Sequence, residues 1–507
     1  MLKKLKERLR QREYRNLFAT MMASKVIGVI LLLVLIKAVS AYLFTPAFAD
    51  GAAPAEPPAY VNPLNTMWTV MAAFLVFFMQ AGFMMLEAGF ARTRETVNVL
   101  LEGIVDTCLC GILFWAWGFA FMFGAGNGFI GHQYFFLQGI PETYGSTGVA
   151  FLAYWLFQFA FADTCSTITS GAMVGRTGFV GDLIYSFGVS GFIYPIIGHW
   201  AWGPDGWLTT IQPVAFHDFA GSTVVHTIGG FIALAGAIVL GPRLGRKFKR
   251  DGGSMMPGHD MTIAAVGGVI LWFGWYGFNP GSTLSAMDAA GCGRVAANTT
   301  LAACAGGLSG LAFVYPRSKI WDCGMTVNGF LAGLVAITCP CYWVSPGGAI
   351  VIGAVAGVVC ALGVDFIEWL RIDDPVGAVA VHGFCGIWGT LSLGFLACGK
   401  YGAPGPTGPD NSDATVVTGL FYGGGGNVLV SQLIGSASIT AATFAVSMVL
   451  MYAVKLTGTL RVSKEGELEG LDLHEHGGTA YPELIGSGAT MPSSMKASGV
   501  VETAAAE

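Results

Sequence analysis

The stretch HDFAGSTVVH, residues 217–226, places His226 eight residues after Asp218 in an otherwise apolar segment. A second stretch, DDPVGAVAVH at residues 373–382, repeats the frame with Asp374 and His382. The surrounding sequence avoids charge, and an ionisable residue inside a membrane helix is by default a candidate for function. A histidine set twice in the same frame therefore indicates function rather than two unrelated packing contacts.

The composition predicts that these stretches lie in a membrane. Apolar residues make up 54% of the 507 residues and charged residues only 11%, against roughly 25% charged residues in soluble domains. Glycine, at 73 residues, has about twice its usual share of roughly 7%. In lipid this excess indicates helices that pack closely through small residues.

Eleven apolar segments are long enough to cross a bilayer core of roughly 30 Å, which takes about 20 helical residues. They lie at 63–90, 99–123, 149–174, 178–203, 219–241, 262–283, 295–315, 326–344, 348–370, 376–399 and 430–455. Lys and Arg gather in alternate loops, whereas the opposite loops carry only Arg294 and Lys400. The positive-inside rule then places the mature amino end outside and the carboxyl end inside. We expect an all-α membrane protein with eleven transmembrane helices.

The first 49 residues read as a secretory signal peptide. Eight Lys or Arg lie within 1–25, an apolar stretch covers 27–44, and AFA at 47–49 precedes Asp50, which suits a cleavage site. The alternative is an uncleaved signal anchor, against which Lys37 inside the apolar stretch argues. After cleavage we expect an extracytoplasmic linker at 50–62, a transmembrane domain at 63–456 and a cytoplasmic tail at 457–507 with a disordered end.

The two histidine frames run in opposite directions, because the fifth helix enters from outside at Asp218 and the tenth from inside at Asp374. Two pseudo-symmetric inverted halves of five helices, plus one further helix, give this arrangement. His226 and His382 then lie roughly 12 Å inside their helices, where the two imidazoles meet. Asp374 followed by Pro375 reads as an N-cap with a proline at N1, and we interpret both aspartates as structural.

Several motifs in this order resemble the ammonium transporter family, Amt/Mep/Rh, in its bacterial Amt type. They are DFAGSTVVHTIGGFIALAGAIVLGPRLGR (218–246), GWYGFNPGS (274–282), VHGFCGIWGTL (381–391) and EGLDLHEHG (469–477). The resemblance covers about residues 65–485. It implies a homotrimer in the bacterial inner membrane with one conduction path per subunit, and a PII-type regulator at the tail. It implies no enzyme activity, no cofactor or metal, and no nucleic-acid partner.

The resemblance also assigns roles to several residues of this chain. It implies pore residues His226, His382 and Trp275, gate residues Phe161 and Phe278, and an outer substrate site of Phe161, Trp202 and Ser282. Two departures from the family pattern are Ser222, where many members have glycine, and MVGRTGF at 173–179.

We expect the chain to bind ammonium outside, deprotonate it, and conduct ammonia with a separately relayed proton, with methylammonium as a further guest. An ammonium sensor with little net transport is the first alternative, disfavoured because no kinase or cyclase domain follows residue 485. A haem protein lacks a CxxCH motif, and a metal transporter using His382 with Cys385 lacks converging carboxylates. The direction of Asp163 and any disulfide among Cys292, Cys339, Cys341 and Cys398 stay open.

Overall fold

The structure, a computed structural model, describes residues 59–399 and 417–482. The predicted signal peptide, most of the predicted linker and the predicted disordered end of the tail lie outside these residues. The first helix begins at Val61, two residues before the predicted start of the transmembrane domain.

Eleven helical segments in the described residues correspond one to one to the predicted segments. They are α1 Val61–Phe90, α2 Thr96–Leu113 continued by Phe114–Gly118 and Phe119–Phe123, α3 Phe151–Gly171, α4 Phe179–Gly188 continued by Val189–Ile193 and Tyr194–Trp202, α5 Ser222–Thr227 continued by Ile228–Leu240, α6 Met261–Phe278, α7 Ala289–Ser318, α8 Cys323–Thr338, α9 Pro346–Trp369, α10 Val379–Phe384 continued by Cys385–Leu396, and α11 Asn427–Leu456. Within these described residues, nine helices are long and apolar enough to cross a membrane. Of the other two, α8 has only 16 residues, and α3 carries Gln158, Asp163 and several hydroxyl groups.

The loops and the tail hold the shorter elements. Two antiparallel ladders of two-residue strands follow α2, namely β1 Gly126–Asn127 with β2 Ile130–Gly131, and β3 Thr143–Tyr144 with β4 Val149–Ala150. The tail forms α12 Lys464–Glu469 and α13 Leu471–His476. Short 3-10 turns occupy Thr93–Glu95, Phe135–Leu137, Trp207–Thr209, Lys249–Asp251, Pro280–Thr283 and Leu420–Tyr422.

The starts of α5 and α10 differ from the sequence prediction. Gly221 and Gly377 have positive φ angles of 111° and 81°, which delays the helices to Ser222 and Val379. Positive φ carries a steric penalty for residues with a Cβ, so glycine suits both joints. Pro375 therefore does not occupy N1, because Gly377 bends the chain between it and the helix. The Asp374 carboxylate reaches across this bend to accept hydrogen bonds from the amides of residues 377, 378 and 379.

Glycines let the two inverted halves meet with their helix backbones in contact. A Cβ on Gly267 of α6 would lie 2.4 Å from the amide nitrogen of Leu86 in α1. A Cβ on Gly230 of α5 would lie 2.3 Å from the amide nitrogen of Gly383 in α10. Close approach through small residues is how membrane helices associate, and here it pairs the first helix of each half and the last helix of each half.

A buried ion-pair network ties the loops together at the end of the bundle where the tail lies, called the tail end below. Arg243 donates to both carboxylate oxygens of Asp373 at 2.8 and 3.0 Å, and Arg246 bridges Asp373 and Glu368. Burial disfavours the ionised form of Asp373, but the Arg243 hydrogen bonds and the neighbouring guanidinium charges outweigh it and hold the Asp373 pKa well below its ordinary value. Arg176, from the divergent MVGRTGF stretch, is fully buried and donates to the carbonyl of Asp373.

Candidate functional site

His226 and His382 lie in matching π-helical turns, Ser222–Thr227 and Val379–Phe384. Such turns widen a helix by one residue and occur frequently at functional sites. The structure brings the two imidazoles together, with 3.2 Å between their Nδ1 atoms and 5.3 Å between their ring centroids. Both side chains are buried, at 0% and 6% exposure.

The contact between the two Nδ1 atoms fixes how the pair shares hydrogens. One Nδ1 donates and the other accepts, so in the neutral pair the histidines take opposite tautomers. The Nε2 atom of His226 is buried and has no hydrogen-bond partner among the described residues. The pair therefore presents Nε2–H on one ring and an Nε2 lone pair on the other. Uptake of a proton at the bare Nε2, a shift of the central hydrogen to the other Nδ1 and release of the proton from the other Nε2 together reverse the two ends.

A column of aromatic rings leads from the histidine pair toward the opposite end of the bundle. The rings of Phe278 and His226 stack with centroids 5.4 Å apart, and Phe161 stacks on Phe278 at 4.0 Å with 19° between the planes. Trp202 meets Phe161 edge to face at 6.0 Å. These four rings and His382 form one continuous series of contacts, called the aromatic column below.

Hydrogen bonds hold the remaining predicted site residues in place. Trp275 stacks on His226 at 5.2 Å and donates from Nε1 to Oγ1 of Thr338 on α8. Trp202 donates from Nε1 to the carbonyl of Asp218. Ser282 is buried in the 3-10 turn that follows α6 and donates to the carbonyl of Phe278, which leaves its oxygen lone pairs available.

A cavity of about 490 Å³ lies beside Trp202 and defines the vestibule end of the bundle. Its lining includes Phe123, Gln133, Tyr134, Tyr144 and Trp202. Aromatic faces carry negative charge density and attract cations. The cavity therefore presents a surface suited to a small cation next to the first ring of the aromatic column.

Asp218 and Asp374 support the site without contacting the histidines. The Asp218 carboxylate accepts hydrogen bonds from the four amides of residues 221–224, so it caps α5 as Asp374 caps α10. Ser222, the departure from glycine, donates to the carbonyl of Val335 and accepts from the amide of Cys339, both at 2.7 Å. The hydroxyl thereby ties the start of α5 to α8, which explains how serine is accommodated there.

Three contacts at the site were not anticipated from the sequence. Gly230 and Gly383 form the crossing of α5 and α10 next to the histidines, and a Cβ on Gly386 would lie 2.4 Å from the carbonyl of Ser222. Thr338 anchors Trp275. The glycines were visible in the sequence as small residues one turn apart, and Thr338 was visible as a polar residue in an apolar segment. The residues that they contact were not visible.

The cysteines do not join the site. Cys385 donates to the carbonyl of Ala356 on α9, so its thiol is directed away from His382. All eleven cysteines are free thiols, which leaves no disulfide among the four near the predicted outer ends. Asp163, whose direction the sequence left open, is completely buried.

The tail docks on the start of α2. The Asp472 carboxylate accepts from the amide of Asn98 at 2.9 Å, and Nε2 of His476 meets Oδ1 of Asn98 at 2.9 Å. The His476 ring also packs edge to face on Phe179 at 5.1 Å. Burial lowers the pKa of His476, although Glu475 and Asp472 partly oppose it.

This docking predicts a pH dependence of the tail. Because docking lowers the His476 pKa, the docked tail binds a proton less readily than a free tail, so docking weakens as pH falls through the ordinary histidine pKa. Burial raises the pKa of Asp472, so protonation of this carboxyl favours docking. This opposite effect occurs at a lower pH than the titration of the histidine. Proteolysis of the tail should accelerate from about pH 7.5 to about pH 6, and His476→Gln should remove this dependence.

The neighbouring histidine supplies the matched control for this experiment. The His474 side chain bonds Glu469 of the tail itself and lies against Gly466, also of the tail, so His474→Gln should retain the acceleration seen in the unaltered chain. A cleavage rate that stays flat over this range in the unaltered chain would contradict the assignment to His476.

Comparisons with known proteins agree with this architecture. A sequence profile described as Ammonium Transporter Family matches residues 67–481. "Ammonium transporter Amt2" of Archaeoglobus fulgidus is 44% identical over 446 residues, which cover 86% of this chain and 92% of that protein. A solved structure named "Sensor Amt Protein" superposes with a TM-score of 0.73 at 37% identity and covers 82% of this chain and 99% of that one. Mep2 of Candida albicans gives a TM-score of 0.72 at 28% identity, over 83% and 90% of the two chains.

The family profile spans most of the helical bundle, from within α1 to beyond α13. The identity to the archaeal relative extends over nearly the whole of both chains. The chain therefore belongs to the ammonium transporter family, and the relatives reported above are named as transporters or as a sensor rather than as enzymes.

Proposed function

We propose that this chain transports ammonium by binding NH4+ at the vestibule end, removing a proton, and conducting NH3 along the aromatic column. The observation that carries the proposal is the column itself, in which Trp202, Phe161, Phe278, His226 and His382 are in serial contact. Three elements on the path suit the guest, namely an electron-rich entrance, an apolar constriction and a hydrogen-bonding imidazole pair.

The energetics favour deprotonation before passage. Carrying an ammonium-sized ion into a low-dielectric interior costs on the order of 20 kcal/mol by a Born estimate, which relaxation reduces. With a lysine-like pKa of about 10.4 as a stand-in, releasing the proton at pH 7 costs roughly 5 kcal/mol. A narrow apolar path therefore selects the neutral guest. Potassium has no proton to release, so the stacked Phe161 and Phe278 exclude it.

The entrance binds the intact cation through ring faces and one hydroxyl. Trp202 and Phe161 attract it by their quadrupoles, and Ser282 accepts a hydrogen bond from it. Beyond the gate, the opposite tautomers of His226 and His382 offer ammonia one donor and one acceptor, and they offer the separated proton a relay.

Trp202→Ala should raise the ammonium concentration for half-maximal current about 3- to 30-fold, because the substitution removes a cation–π contact in a partly desolvated site. Trp202→Phe keeps a ring face but loses the Nε1 hydrogen bond to Asp218, so it serves as the matched control and should shift the apparent affinity much less. Concentration series of ammonium pulses on a supported membrane measure both variants. An unchanged apparent affinity in Trp202→Ala would show that the outer site lies elsewhere.

The proposed oligomeric state, membrane location and orientation of the chain rest on the family resemblance and on the charges of the loops. We propose a homotrimer in the inner membrane of a bacterium, with the mature amino end outside and the tail inside. The division into a signal peptide at 1–49, a linker at 50–62, a membrane domain at 63–456 and a tail at 457–507 belongs to this proposal. The docked tail is where a PII-type regulator would bind, and methylammonium is a further guest.

Electrical recording from the reconstituted chain tests the proposal. Pulses of ammonium should evoke current or accumulation in vesicles, whereas pulses of potassium at the same concentration should evoke neither. Vesicles with the protein that respond no more to ammonium than protein-free vesicles would contradict transport.

One observation favours a second candidate, an ammonium sensor. A structural relative that is 37% identical to this chain is named "Sensor Amt Protein". A sensor needs the entrance and the gate but little net flux, so the measured flux through the vesicles separates the two functions.

A further inference from the structure

Asp163 is an acidic residue in the middle of the bundle that the aromatic column does not use. It lies twelve residues into α3, or about 18 Å along the helix, and its side chain is completely buried. Successive residues are about 100° apart around a helix, so Asp163 lies about 200° away from Phe161 on α3. An ionisable side chain at this depth in a membrane protein indicates a function.

Side chains from three helices surround the Asp163 carboxyl group. Gln80 of α1 and Thr107 of α2 approach its oxygens. Thr167 follows one turn later on α3, and its Oγ1 atom lies 2.8 Å from Oε1 of Gln80 and 3.0 Å from the carbonyl oxygen of Asp163. Gln80 and Thr167 are buried, and Thr107 is partly buried. We call these four residues the oxygen cluster.

The carboxyl group lacks the hydrogen bonds that a buried anion needs. Both carboxylate oxygens of Asp163 and Nε2 of Gln80 are buried and have no hydrogen-bond partner among the described residues. Buried polar atoms in proteins are nearly always paired with a protein group, a water molecule or an ion. Two buried carboxylate oxygens without a donor therefore point to a ligand with positive charge.

The hydrogens of the cluster can be arranged so that oxygen atoms converge on one point. Thr167 has a single hydroxyl hydrogen, so it donates either to Gln80 or to the carbonyl of Asp163. When the Gln80 amide is turned by half a rotation, Nε2 donates to Thr167, Thr167 donates to that carbonyl, and Oε1 faces the carboxylate. Thr107 donates to the carbonyl of Gly103 at 2.9 Å, which leaves its oxygen lone pairs available. Asp163, Gln80 and Thr107 then present four oxygens and no hydrogen.

The surrounding groups supply no positive charge to Asp163. In the described part of the chain, Asp163 belongs to no ion pair. The ionisable groups within electrostatic range are Asp106 and Cys110 of α2, and neither is a cation. An isolated carboxylate is strongly disfavoured in a low-dielectric interior. The cluster therefore binds a cation from outside the chain or takes up a proton.

The ligand atoms and the space limit which cation fits. Carboxylate, amide and hydroxyl oxygens are the ligands of hard cations, and a single carboxylate is neutralised by a single positive charge. One turn from the cluster the helices α1 and α2 touch, because a Cβ on Gly103 would lie 2.8 Å from Cγ of Met84. Such close packing favours sodium over the larger potassium and ammonium ions.

We propose that the oxygen cluster is a sodium-binding site, in which Asp163, Gln80 and Thr107 are the direct ligands and Thr167 orients the Gln80 amide. The bound ion links α1, α2 and α3 on the side of α3 that faces away from Phe161. Because a ligand that binds only the folded state stabilises it, sodium stabilises the bundle. The inference goes beyond the proposed function and does not depend on it.

Equilibrium binding of radioactive sodium to the full chain in detergent tests the site directly. The protein is incubated with the isotope in choline chloride at constant ionic strength and without ammonium, and unlabelled sodium chloride gives the affinity. Asp163→Asn should abolish saturable binding. Thr107→Val should weaken binding about tenfold or more, a loss of the size expected when a group that supports a metal ion is removed.

Two matched variants control for the changes of side chain. Glu87→Gln changes another buried carboxyl group, one that bonds Ser170 and lies two turns from Gln80 on α1. Thr300→Val removes a partly buried hydroxyl of α7 that donates to the carbonyl of Ala296. Both variants should keep the sodium affinity of the unaltered chain.

Thermal unfolding gives a second measurement on the same samples. Sodium should raise the unfolding temperature of the unaltered chain relative to choline, and potassium at the same concentration should raise it less. The increase should disappear in Asp163→Asn and persist in Glu87→Gln. If Asp163→Asn does not unfold cooperatively in any salt, the sodium affinity of Thr107→Val decides the question.

Several outcomes would overturn the site. Saturable sodium binding that survives in Asp163→Asn, or an affinity that is unchanged in Thr107→Val, places the ion elsewhere. An unaltered chain that binds no sodium shows that Asp163 carries a proton instead. Displacement of sodium by an equal concentration of potassium or ammonium overturns the assignment to sodium. None of these outcomes bears on transport, because ammonium flux is measured separately in vesicles.

Discussion

Replacing both histidines, His226→Leu with His382→Leu, is expected to reduce ammonium-evoked current and ammonia entry on the order of 100-fold. The imidazole pair supplies the only donor and acceptor groups that our proposal places beyond the gate. Leucine fills a similar volume but offers ammonia no hydrogen bond and accepts no proton. Both signals should therefore fall together.

The double substitution is preferable to either single one for a structural reason. Removing one imidazole leaves the other Nδ1 buried without its partner at 3.2 Å, and an unsatisfied buried polar group is itself destabilising. Replacing both partners by apolar groups avoids this effect. His132→Leu, in an exposed loop, controls for the loss of a histidine, and thermal unfolding in detergent checks the fold. Current that persists at its original size in the double variant would rule out the role of the pair.

Gly230→Ala is expected to have the second large effect. The new methyl group would lie 2.3 Å from the amide nitrogen of Gly383, which is part of a helix backbone and has little freedom to move. The helices α5 and α10 must separate at their crossing, one turn from His226 and one residue from His382. Overpacking of this kind costs roughly 1–3 kcal/mol of stability, and a displacement of about 1 Å at a functional site can reduce activity on the order of 100-fold.

The chain offers a matched control for this substitution. Gly293 of α7 has open space where a Cβ would be added, so Gly293→Ala should leave unfolding temperature and transport nearly unchanged or raise stability slightly. Unfolding temperature and ammonium-evoked current measure both variants. Equal behaviour of Gly230→Ala and Gly293→Ala would show that the crossing does not position the histidines.

The helix ends show where sequence reasoning was accurate and where it was wrong. The start of α1 differs from its predicted position by two residues, because an apolar run shows directly where a helix enters lipid. The end of α8 differs more, since the helix stops at Thr338 rather than 344 and the chain turns to bring Cys339 against Ser222. The starts of α5 and α10 were placed too early because hydropathy does not reveal the positive φ angles of Gly221 and Gly377.

The functional site likewise has features that the sequence predicted and features that it did not. Composition, periodicity and family motifs were enough to select His226, His382 and the aromatic residues, since each has a local signature. Thr338 was equally visible as a polar residue in an apolar segment. Nothing in the sequence showed that it faces Trp275, because that depends on the rotation of α6 and α8 about their axes.

The sequence by itself determined that the chain crosses a membrane repeatedly, that two Asp–His frames run in opposite directions, and which family it belongs to. These properties follow from local quantities, namely the length of apolar runs, the placement of charge and the order of motifs. Only the tertiary structure decided that the two imidazoles touch across 156 residues of chain, that Thr338 holds Trp275, and that Gly230 of α5 lies against Gly383 of α10. Those contacts depend on how glycine-lined helices cross, and a crossing depends on both surfaces at once rather than on either segment alone.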